Sequence, residues 1–135
     1  KRRLLDSLER PPTVDALERE YKRTPSIHNR TRLGQGLFDD EQYEAALAHF
    51  EGVLEQQPDD KAALHGVGCC HMERGEPQRA VAPLQQLVDA HPGYRDYEPW
   101  AELVEALWQT EQKDEALALV RELVVSYLRE GAFAR

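Results

Sequence analysis

Residues 27–60 read IHNRTRLGQGLFDDEQYEAALAHFEGVLEQQPDD, and residues 61–94 read KAALHGVGCCHMERGEPQRAVAPLQQLVDAHPGY. Laid one under the other they share a pattern, with Gly34 over Gly68, Ala46 over Ala80, Phe50 over Leu84 and Pro58 over Pro92. Each pair is 34 residues apart. A fixed period of that length belongs to stacked supersecondary units, not to one closed globule. Such arrays offer an extended surface and no enclosed pocket. That favours a module that holds another polypeptide over an enzyme.

The pattern returns a third time after two extra residues. Leu64 to Trp100, Val67 to Leu103 and Ala80 to Ala116 are each steps of 36. Within a copy, Leu33 and Leu37, then Tyr43, Ala46, Leu47, Phe50, Val53 and Leu54, keep helical i, i+3/i+4 spacing on two successive segments. Small residues at Gly34, Gly68, Ala46, Ala80 and Ala116 let paired helix axes approach closely. Pro77 and Pro99 suit a first helical turn, where no N–H is needed, and Gly75 suits a left-handed helix end. Pro83 falls inside a helix, where it predicts a bend rather than a break.

These residues resemble a tetratricopeptide repeat (TPR) array, whose pattern reads W-x2-L-G-x2-Y, A-x3-F, P. The first copy supplies Leu33-Gly34, Leu37, Tyr43, Ala46, Phe50 and Pro58, with Arg30 in the Trp slot. The second has Leu64, Val67-Gly68, His71, Ala80, Leu84 and Pro92. The third restores Trp100 and Leu103 but carries Val104 in the Gly slot and Leu128 in the Pro slot. The fold expected from the resemblance is all-α, an α-solenoid of antiparallel helical hairpins. Its three repeats would be residues 27–60, 61–96 and 97–130, after an N-terminal helical cap or half-repeat at 1–26 and before a tail at 131–135. In the cap, residues 1–10 read as a short helix, and Thr13 as the N-cap of another running to about Arg23.

In TPR hairpins the first helix of each pair lines a concave groove. Carried over slot by slot, the resemblance implies a partner-binding set of His28, Thr31, Gln35 and Phe38 in the first copy and His65, Cys69 and Met72 in the second. The third contributes Glu98, Ala101, Glu105 and Trp108. Phe38, Met72 and Trp108 either face that groove or pack against the neighbouring helix. The groove suits a peptide or a partner helix, since Met and Trp give large contact area at modest entropic cost. Gripping the carboxylate of a chaperone tail, a known TPR use, needs cationic slots. Here those slots hold Thr31, Gln35, Gly66, Glu98 and Glu102, and two carboxylates would repel the ligand.

An alternative is a metal-binding or thiol-reactive protein built on His65 and Cys69, which share a helix face at i, i+4. Only those two donors converge from their helix, and a third would have to come from His28. No catalytic residue, resident metal or cofactor is expected, because neither a phosphate loop nor a nucleophile motif occurs. A further alternative is self-association. The last helix carries Val120, Val124 and Leu128 on one side with only REGAFAR after it, so a C2 homodimer through that helix is expected unless Phe133 folds back over it.

The 135 residues carry a net charge of −8, unevenly placed. Residues 1–32 hold 9 basic and 5 acidic side chains, and residues 33–135 hold 8 and 20. An acidic array is a poor footprint for nucleic acid, which needs clustered Lys and Arg. No apolar run of about 18–20 residues spans a bilayer, and no signal peptide is present. The chain opens at Lys1 without Met, in a KRR segment. The segment reads first as a solvated terminus of a processed or excised piece, and alternatively as the cytoplasmic flank of a membrane anchor outside this sequence. The expected location is cytoplasmic, with or without that tether. Cys69 and Cys70 are adjacent, which favours free thiols and a reducing compartment.

Overall fold

The computed structural model describes residues 11–130, and among them seven α-helices and no strand. They are α1 (Val14–Arg23), α2 (Ile27–Asp39), α3 (Tyr43–Gln56), α4 (Lys61–Glu73), α5 (Pro77–Ala90), α6 (Glu98–Gln109) and α7 (Lys113–Arg129). The helix expected in residues 1–10 and the covering role of Phe133 lie outside the described residues. Each helix packs on its successor, and α2 also touches α4, as α4 touches α6. The result is the expected solenoid, with α2, α4 and α6 along one side and α3, α5 and α7 along the other.

Local chemistry sets the helix starts. Thr13, Ser26 and Asp60 each accept a hydrogen bond from the backbone N–H three residues on, at Ala16, Asn29 and Ala63. That satisfies a donor which the helix itself leaves unpaired. Pro77 and Pro99 stand in first turns. Helix α5 runs unbroken across Pro83, so that ring removes one hydrogen bond without ending the helix.

Within each hairpin the turn is the same object three times. Gln42 N–H donates to Leu37 O, Glu76 to His71 O and Gln112 to Leu107 O, all at 2.8 Å. The residue before each donor is left-handed: Glu41 at φ 61°, Gly75 at φ 74° and Glu111 at φ 63°. This is a Schellman ending, whose left-handed position favours glycine. Only the middle copy has one.

The core follows from side chains of α3 and α5 wedged between helices of the opposite row. Phe50 is 1% exposed. A methyl group added at Gly34 of α2 would sit 2.9 Å from its ring, and one at Gly66 of α4 would sit 2.5 Å away. Leu84 stands against Gly68 in the same manner, where a methyl would come within 2.7 Å. At the N-terminal end α1 lays Leu17 on α2 among the residues of the first core cluster. Arg30, in the slot where TPR sequences have Trp, puts its guanidinium over Gly52 and donates from Nε to His49 Nδ1 at 3.3 Å.

The two residues that lengthen the third step fall in a turn at Tyr94–Tyr97. Arg95, Asp96 and Tyr97 are all left-handed, with φ of 49°, 53° and 69°. Non-glycine residues pay about 1–2 kcal/mol each for that conformation. Packing holds it in place. Trp100 Nε1 donates to Pro92 O at 2.8 Å, and the buried Tyr97 ring lies 4.6 Å from that of Tyr127.

The repeated turn yields a prediction. Glu41→Gly and Glu111→Gly should each raise stability by roughly 0.5–1 kcal/mol, the relief of a left-handed side chain less the entropy that glycine adds to the unfolded state. Urea midpoints measure this, and Gly75→Ala should move the midpoint the opposite way.

Candidate functional site

The side of the array built by α2, α4 and α6 carries all eleven residues of the sequence-derived groove set, and it treats them unequally. His28, Gln35, Glu98, Ala101, Glu105 and Trp108 are exposed. Trp108 is 49% exposed, with Lys113 Nζ 5.1 Å from its ring centroid. Thr31 is half-buried and donates its hydroxyl to Ile27 O at 2.9 Å. Phe38 and Met72 are half-buried against the two core clusters, and Phe38 meets Tyr43 edge-on at 5.3 Å. Those two side chains therefore divide their surface between core and solvent.

His65 and Cys69 are tied down by a residue of the next repeat. His65 is 6% exposed. Its Nε2 lies 2.7 Å from Glu102 Oε1, and Cys69 Sγ donates to Glu102 Oε2 at 2.9 Å. One carboxylate thus bridges two side chains that sit a turn apart on α4. The sequence offered His28 as the only third donor. It stands exposed on α2, and Glu102 on α6 fills that place. Tyr94, from the lengthened link, sets its ring edge-on to His65 at 5.8 Å and takes Lys61 Nζ at 5.8 Å from its ring centroid.

Burial, the largest influence on Glu102, would raise its pKa, but the hydrogen bonds from His65 and Cys69 outweigh it and hold the carboxyl below its ordinary value. An ionised carboxylate only accepts, so His65 Nε2 carries the proton between them. Burial, then the Glu102 hydrogen bond and charge, push the Cys69 thiol well up. Burial pushes its neighbour Cys70 up to about 11. Nucleophilic cysteines need the reverse environment, one that favours thiolate. Cys69 is thus no activated nucleophile, and its thiol donates to Glu102.

In sequence Glu102 reads as one of several charged slots, with nothing to connect it to His65 and Cys69. The available signal was the third copy's step of 36, which aligns Glu102 with Gly66 and so puts a carboxylate where the preceding copy has no side chain. Among the described residues no helix is long and apolar enough to cross a membrane.

Replacing Glu102 by Ala should cost about 1–3 kcal/mol, since it strands two part-buried polar partners. Glu102→Gln keeps an acceptor and should cost less than half as much; thermal or urea unfolding of the pair of variants decides.

Two family models, both described as tetratricopeptide repeat, match the chain over residues 31–95 and 71–127. No curated protein sequence matches it. Solved structures of MamA proteins are similar in fold. One, a MamA RS-1 ArsTM double mutant, has a TM-score of 0.73 at 20% identity, over 82% of this chain and 62% of that one. A second, MamA MSR-1 C2, gives 0.72 at 19%, over 87% and 67%. A crystal structure of MamA gives 0.78 at 16%, over 88% and 69%. The chain thus spans 62–69% of the length of these three, and at such identities the likeness is one of fold.

Proposed function

The chain belongs to the tetratricopeptide repeat family, and from that membership we propose a protein-interaction scaffold whose α2–α4–α6 face receives a peptide or a partner helix. Three repeats at 27–60, 61–96 and 97–130 stack to make that face. The observation that carries the proposal is Trp108, a large aromatic side chain left half in water on the face that binds ligands in this family. Burying such a ring supplies much of the energy of an interface hot spot. Glu98 and Glu105 lie exposed on the same helix, within a stretch 33–135 of 8 basic and 20 acidic residues. A cationic segment with an apolar anchor complements it, and Lys113 already sits over the ring as such a cation would. Free Cys69 and Cys70 favour a reducing compartment for the encounter.

The test is affinity capture from the native host, with wild-type and variant chains side by side. Trp108→Ala combined with Glu105→Lys should lose the captured partner at least about tenfold, as removal of a hot-spot aromatic does. Retention of the same partner by the double variant refutes the assignment of this face.

Self-association through α7 is supported by a separate observation. Leu117, Val120, Val124, Val125 and Leu128 are 39–61% exposed. Val120 occupies the slot of Phe50 and Leu84, both of which are buried. Exposed aliphatic side chains gathered on one helix favour association of monomers. An isologous pairing of two α7 helices would bury it on both chains. Val124→Glu with Leu128→Lys should convert dimer to monomer in light scattering without loss of helix. A wild-type chain that is monomeric at high micromolar concentration removes this proposal and leaves the first untouched.

A further inference from the structure

We propose that His65, Cys69 and Glu102 form a three-ligand site for one thiophilic divalent cation of the zinc class, which ties α4 to α6. Three features of the cluster lead there: its geometry, its donor set and its charge.

The geometry is that of a site needing little rearrangement. A His65 ring nitrogen, Cys69 Sγ and a Glu102 carboxylate oxygen all lie within 4.8 Å of one another, the only such His/Cys/Asp/Glu group among the described residues. Bonds of about 2.0–2.3 Å around a tetrahedral zinc place its ligand atoms roughly 3.3–3.8 Å apart. At present His65 Nε2 lies 2.7 Å from Glu102 Oε1 and Cys69 Sγ 2.9 Å from Oε2. Each is short of that spacing by less than about 1 Å, so the three side chains part by a small movement to admit the ion. Two of the ligands are fixed a turn apart on one helix and the third comes from another, so the frame is in place before any ion arrives.

The donor set selects the ion. One imidazole nitrogen, one sulfur and one carboxylate oxygen are wrong for calcium or magnesium, which take oxygen. They suit zinc, or cobalt as its probe. Charge closes as well. On binding, the Cys69 S–H bond breaks, its electron pair forms the metal–sulfur bond and the proton goes to solvent. The His65 proton moves from Nε2 to Nδ1, which frees Nε2 to ligate. Thiolate and carboxylate then neutralise the dication. Two hydrogen bonds are exchanged for three metal bonds, and a fourth position is left to water.

The structural consequence is a clamp between the second and third repeats at the lengthened link, on the face proposed to bind partners. The site does not depend on that proposal, since it stands on the three side chains alone.

The experiment titrates the full chain with Co2+ and follows the near-ultraviolet thiolate-to-cobalt charge-transfer band, then displaces the cobalt with Zn2+. One equivalent should saturate the band. Cys69→Ser should abolish it, Cys70→Ser should keep it, and Glu102→Gln should weaken binding by about tenfold or more, on the scale of losses seen when a metal site is disturbed. Zinc should raise the thermal midpoint of the wild type and not of Cys69→Ser. Should Cys69→Ser fail to fold by circular dichroism, X-ray absorption of the zinc-loaded wild type decides, with one sulfur and two lighter protein donors expected. The proposal is overturned by absence of the band at a small excess of cobalt, by its survival in folded Cys69→Ser, or by a zinc shell without sulfur.

Discussion

The array depends on one steric constraint, the Phe50 ring held between two helix backbones that have no side chain to oppose it. Gly34 and Gly66 belong to successive hairpins, and the ring fills the interval between them. Because any Cβ at either glycine would fall inside van der Waals range of the ring, the two hairpins have a single close-packed register. Leu84 repeats the arrangement against Gly68 with a smaller side chain. Each wedge is deposited by one row of helices into the other, so the two rows cannot slide independently.

The third repeat breaks this rule, and the break is what gives the molecule its polar cluster. Val104 stands in the slot of Gly34 and Gly68, and Glu102 stands in the slot of Gly66. A glutamate there turns to α4 and binds His65 and Cys69. The join between α4 and α6 therefore has a directional polar contact where the join between α2 and α4 has an aromatic wedge. Hydrogen bonds fix relative orientation more tightly than apolar contact does, but only while both partners remain satisfied.

Much of this was legible in the sequence because it is encoded locally or periodically. The step of 34, the helix-start prolines, Thr13 as a cap and Gly75 as a left-handed end all act within a few residues or recur at a fixed interval. Three features were hidden. Glu41 and Glu111 take the left-handed position that Gly75 marks, since closure of the hairpin imposes that conformation on whatever residue occupies it. The left-handed run Arg95–Tyr97 is held by Trp100 and Tyr127, contacts that no local rule anticipates. Glu102 meets partners 33 and 37 residues away, and an acidic residue within a helix reads in sequence as part of a solvated face. His65 and Cys69 were singled out by their spacing. Their partner was not, because spacing on one helix says nothing about what the next repeat brings to it.

The open, linear stacking of the helices has a consequence for how the molecule breathes. Among the described residues α1 rests chiefly on α2, and α7 on α6, whereas α4 touches four other helices. In a chain of nearest-neighbour contacts, opening from an end disrupts one interface and opening in the middle disrupts several. Amide protons should therefore exchange with solvent most slowly in α4. His65 and Cys69 thus occupy the segment that opens least often.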